Sequence, residues 1–166
     1  MLNLLKNTLK FKLMNTPNLF QVAEVQLTYK NHTDLLKRPI ITSDKDTANL
    51  MREVEEMKIN IDYKELFYVI YVNSKGRVLS VAKVAEGTTT KCLINIRQII
   101  QGALLQNATG LIVCHNHPSG DVQPSREDIA SAKRIQEAAR IFEIRLLDSL
   151  IISSYDYFSL TESGLI

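Results

Sequence analysis

Only two cysteines occur in the chain, Cys92 and Cys114, which excludes a disulfide scaffold and suits a reducing cytosol. Neither sign of charge dominates, with 20 Lys and Arg against 18 Asp and Glu. The formal net charge is +2, too small by itself to argue for a nucleic-acid or membrane-surface partner. Long apolar runs are absent from the start of the chain, where Lys6, Lys10 and Lys12 interrupt MLNLLKNTLKFKLMNTPNLF before any stretch reaches signal-peptide or membrane-span length. Secretion and a membrane span are therefore not expected, and a cytoplasmic location is. No internal repeat or low-complexity segment is visible. What remains is a chain of 166 residues with 45% hydrophobic content, enough for one packed domain. The organisation expected is a basic arm and first strand over 1–40, a domain over 41–162 and a tail over 163–166.

Hydrophobic periodicity supplies the elements. Val25, Leu27 and Tyr29 alternate with polar residues, the pattern of a half-buried strand, and His32 follows in a polar turn. Ser43 and Asp46 form a capping pair for a helix over 44–58, with Ala48, Met51, Val54 and Met57 as its apolar face. Residues 66–72, LFYVIYV, are apolar on both faces and read as a central strand. Asn73-Ser74-Lys75-Gly76 is a turn, and residues 77–85 return as the second arm of a hairpin. Ile96, Ile99, Ile100, Ala103 and Leu104 recur at helical spacing. A strand over 111–114, a helix over 126–141 and strands at 145–153 and 157–160 complete an α/β domain, a mixed sheet with helices packed on it.

The stretch with chemical content lies where the strand ending at Cys114 runs into a loop. On an extended backbone His115 and His117 point to one face, while Asn116 points to the other, as does Cys114, whose thiol belongs to the core. Pro118 stops the strand. Ser125-Arg126-Glu127-Asp128 is a capping-box-like helix start, which puts Asp128 in the first turn, where the helix dipole favours an ionised carboxylate. Two imidazoles and a carboxylate are three protein ligands. A structural zinc is usually closed by four, so three leave a place for water and point to a catalytic Zn2+ site, although other first-row metals also accept nitrogen and oxygen ligands.

His115-Asn116-His117-Pro118, followed by Pro124-Ser125 and then Asp128, resembles the metal signature of the JAMM (JAB/MPN) metalloproteases. The longer strings HNHPSGD and PSREDI resemble the RadC branch of that superfamily. The similarity covers roughly residues 62–162. The contiguous HNH does not resemble the HNH nucleases, whose residues are spread over a ββα unit. The resemblance implies a central sheet flanked by helices, a zinc hydrolase with His115, His117 and Asp128 as ligands, and Ser125 as a stabiliser of the tetrahedral oxyanion. A hydrolytic site also needs a general base, and the HEXXH motif is absent. In this superfamily the catalytic glutamate stands at the start of an early strand, which implies Glu65; Glu86, before Gly87 and Thr88, is the rival. Glu127 is about 100° around the helix from Asp128 and is expected to face away.

The chain departs from the RadC pattern in two places: Asn95-Ile96 stands where family members usually carry His-Pro, and Asp148-Ser149 where they usually carry Asp-His. The helix-hairpin-helix DNA-binding segment of longer RadC proteins is also missing from the residues before the core, which weakens the case for direct nucleic-acid binding. Two function classes follow. One is a metal-dependent hydrolase of peptide or isopeptide bonds, with a protein or peptide as substrate. The other is a metal-stabilised binding module without chemistry of its own, which the family links to DNA repair or mobile DNA. Neither specifies an oligomeric state.

Overall fold

The computed structural model of the chain describes residues 34–87 and 94–166. The expected strand at 22–29, the lysine-bearing arm, His32 and Cys92 lie outside the described residues.

A mixed sheet forms the centre. The aromatic and β-branched run in β1 (Glu65–Val72) is buried from Leu66 onward, as a strand covered on both faces requires. It pairs antiparallel with β2 (Val78–Gly87) through the turn at residues 73–76. There Asn73 Oδ1 accepts from the amides of Lys75 and Arg77, and Gly76 takes the left-handed φ of +71° that the turn demands. The other edge of β1 pairs antiparallel with β3 (Gly110–Asn116). β3 runs parallel to β4 (Arg145–Ile152), the two joined by α4 (Arg126–Ile141), and β5 (Tyr157–Ser159) closes the order β2-β1-β3-β4-β5.

Strand alternation divides the core into two layers. Leu66, Tyr68, Ile70 and Cys114 pack on Ala48 and Met51 of α1 (Asp44–Glu53) and Met57 of α2 (Glu55–Asn60). On the opposite face Phe67, Val69 and Val113 pack on Ile99 and Ala103 of α3 (Ile96–Leu105) and Ile135 of α4. A sheet with helices on both faces is the expected α/β architecture.

The single helix expected over 44–58 is two helices. Ser43 and Asp46 form the reciprocal cap, but Val54 is extended at φ −66° and ψ 117°. Packing explains the break. On a straight helix Met51 and Met57, six residues apart, would lie about 120° apart around the axis; the bend at Val54 brings both to full burial against one sheet. The domain edges also reach further than the boundaries at 40 and 162. Pro39 O accepts from Val78 N at 2.9 Å and Arg38 O from Arg77 Nη1 at 2.8 Å. Leu165 and Ile166 pack with Leu160 and Val122.

Candidate metal centre

β3 carries the first histidine on its buried end and hands the second to the loop. In the antiparallel register His115 stands opposite Phe67, whose ring it stacks on at 5.8 Å with 15° between planes. Extending that register by two residues sets His117 opposite Glu65. The amide of His117 donates to Ile152 O at 3.1 Å, so β4 holds the chain past the last strand residue. Its Nδ1 donates to the Asp121 carbonyl at 2.7 Å, which fixes the tautomer and turns Nε2 toward the cluster.

Asn116, between them, faces the other side of the sheet and is fully buried. Its Nδ2 donates to Ile61 O at 2.7 Å and Lys64 O at 2.8 Å, and its Oδ1 accepts from Leu66 N at 2.8 Å. The turn that delivers Glu65 is thereby tied to the strand that delivers the histidines. The spacing of the motif assigns Asn116 only a direction; its three partners, fifty or more residues away, could not be read from it. Cys114, also on that face, is fully buried, and burial pushes its thiol up, away from the thiolate that a metal would need.

α4 brings the carboxylate. Ser125 is its N-cap: Oγ accepts from Asp128 N at 3.1 Å and donates to Asp128 Oδ2 at 2.6 Å, while Ser125 N donates to the same oxygen at 2.8 Å. Burial pushes the Asp128 carboxyl up, but the neighbouring His115, His117 and Ser125 outweigh it and hold the group well below the usual carboxylate range. The Asp128 carboxylate in turn raises His117, against the opposing effect of burial.

The three side chains converge on one point. His115 Nε2 is 3.2 Å from His117 Nε2 and 3.2 Å from Asp128 Oδ1, and His117 Nε2 is 3.6 Å from Asp128 Oδ2. Two ligands at ~2.05 Å from a tetrahedral zinc are separated by about 3.3 Å. The donor set and its spacing therefore fit such an ion. His115 Nδ1 is the one buried side-chain nitrogen or oxygen among the described residues without a hydrogen-bond partner. An unpaired buried polar atom costs about 1–3 kcal/mol, so packing on Phe67 and the interactions of Nε2 hold the ring where it is.

The two candidate glutamates separate. Glu65 shares the face of Phe67 and His115 and lines the same cleft as the three ligands and Ser125. Glu86 pairs across the strands with Leu66, on the opposite face, and is held in ion pairs by Lys64 and Lys83. Those lysines keep the Glu86 carboxyl below its ordinary range. Glu127, expected to face away, lines the cleft as well. The 100° rotation from Asp128 is real, but the cleft is broad enough to include both positions.

The sequence profile of the RadC-like JAB domain matches residues 41–165. The chain belongs to this family. A UPF0758 protein of Flavobacterium johnsoniae is 36% identical over 145 residues, covering 87% of this chain and 62% of the relative. UPF0758 proteins of Clostridium acetobutylicum and Clostridium beijerinckii are 39% and 40% identical over 126 and 127 residues, 76% of this chain and 53% of each relative. The chain thus spans between 53% and 62% of the length of these relatives.

Within this RadC-like JAB domain both departures from the family pattern border the cleft. Ile96 lines it, and Asn95 caps α3, its side chain accepting from Gln98 N at 3.3 Å. Ser149 lines it from β4 and is 3% exposed. Asp148 is structural: it accepts from Ser159 Oγ at 2.7 Å and Thr161 N at 3.2 Å, tying β4 to β5. Among the described residues no helix is long and apolar enough to cross a membrane.

Proposed function

We propose that this RadC-like JAB domain is a zinc-dependent hydrolase of peptide or isopeptide bonds in proteins. The observation that carries the reading is the convergence of His115, His117 and Asp128, three neutral-or-anionic donors at tetrahedral spacing, in a cleft that also holds Glu65. A zinc ion held by these residues would supply a water acidified to near neutrality and a Lewis acid for the carbonyl. Glu65 takes the proton of the attacking water and returns it to the leaving amine. Ser125 donates its hydroxyl to the oxyanion; in the structure that proton is given to Asp128 Oδ2, so the hydroxyl must rotate as substrate arrives. Asn116, through its bonds to residues flanking Glu65, holds the base in place.

The test separates the base from the ligands. Glu65→Gln keeps size and removes no metal donor, so zinc content and fold should be retained while hydrolysis falls by roughly 10²–10⁴-fold. Glu86→Gln, on the other face, should be nearly silent. A substrate is to be found by screening folded proteins with flexible tails and isopeptide-linked conjugates. Loss of turnover in Glu86→Gln but not in Glu65→Gln would move the base to Glu86, and turnover unaffected by both would move it elsewhere; absence of turnover in the parent chain carrying its metal would favour the binding module linked to DNA repair or mobile DNA.

A further inference from the structure

The cleft around the three converging side chains is far larger than a metal and a water require, about 510 Å³. Its walls are chemically unlike. One is apolar, formed by Phe67, Ile94, Ile96 and Val113. The other is a side of α4, where Glu127, Ser131 and Arg134 recur at i, i+4 and i+7 and so share a helix face. Glu127 and Arg134 are exposed, and among the described residues neither side chain has a hydrogen bond or ion pair. Nor can they neutralise each other, since seven residues at 1.5 Å per residue set them about 10 Å apart along the axis. Among the described residues Arg134 is therefore an unpaired guanidinium, about 9 Å along the helix axis from Asp128 and about 120° around it.

We infer, resting on the peptidase reading above, that this cleft selects a polypeptide segment with an apolar side chain beside the cleaved bond and a carboxylate about three residues away, bound by Arg134. An extended chain advances ~3.3 Å per residue, so a segment lying along α4 from the Asp128 end covers that ~9 Å in about three residues. The apolar wall adjoins His115 and takes the side chain next to the bond. Glu127, at the same end of the helix, repels an acid there, which fixes where along the segment the negative charge belongs. The planar, permanently charged guanidinium can grip the distant carboxylate with two parallel hydrogen bonds.

The full chain carrying Glu65→Gln, supplied with zinc, binds without turnover and serves as the receptor. Fluorescein-labelled eight-residue peptides with one central leucine carry a single glutamate two, three or four positions to either side, each matched by its glutamine counterpart. Anisotropy titrations should show the glutamate form bound about 3- to 10-fold more tightly at a spacing near three. Arg134→Met should erase that preference, and Arg134→Glu should transfer it to lysine-bearing peptides. Absence of binding, absence of a glutamate preference, or a preference that persists in Arg134→Met overturns the assignment. Incubating the same peptides with the chain that retains Glu65 asks the separate question. Selective binding without cleavage upholds the subsite and counts against the peptidase, whereas cleavage without carboxylate preference does the reverse.

Discussion

Asn116 sits between two candidate ligands and touches neither chemistry nor solvent. It ties β3 to the residues on either side of Glu65 with three hydrogen bonds, two given to Ile61 O and Lys64 O and one taken from Leu66 N. Asn116→Ala strands the buried Leu66 amide and two carbonyls, so unfolding free energy should fall by on the order of 2–4 kcal/mol, measured by urea denaturation. Asn116→Asp should fare no better, because a carboxylate cannot donate to Ile61 O and Lys64 O. A loss under about 0.5 kcal/mol in both variants would show that the turn is held by other means. The direction of Asn116 was legible in the alternation of a strand. Its partners were not, because they are brought together only by the pairing of β1 with β3.

At the scale of elements, most of the domain was readable because its central strands β1 and β3 are apolar on both faces and its helices keep the 3.6-residue period. The break at Val54 was not: Ala48, Met51, Val54 and Met57 recur every three residues, so a straight helix would carry Met57 about 120° away from Met51, and it is the sheet beneath that demands the burial of both. The face of Glu127 was misjudged for a similar reason: a rotation angle is local, and the breadth of a cleft is not. α3 offers a sharper case. A Cβ at Gly102 would lie 2.3 Å from the Tyr71 hydroxyl, which is buried and donates to Ile99 O at 3.1 Å. Alanine in a helix interior ordinarily gains about 1 kcal/mol over glycine. Here overpacking should win, with Gly102→Ala less stable by about 1–3 kcal/mol in the same urea assay. Adding Tyr71→Phe should recover part of the loss. A Gly102→Ala protein more stable than its parent would mean that α3 and β1 do not meet as described.

The described domain is a sheet covered on both faces, with the candidate ligand cluster where the parallel pair β3 and β4 ends and α4 begins. Sequence spacing placed the three candidate ligands near one another, and the fold adds what spacing could not: Glu65 on the same face, Glu86 on the other, and a cleft that continues along α4. The claim on which the rest depends is that His115, His117 and Asp128 hold one metal ion. Zinc content by inductively coupled plasma mass spectrometry, on protein purified without added metal and again after chelation and zinc replacement, tests it directly. The account predicts about one zinc per chain, with occupancy lost in His115→Ala and His117→Ala and sharply reduced in Asp128→Ala, each variant still folded by circular dichroism. Folded histidine variants that keep the zinc of the parent chain would contradict it.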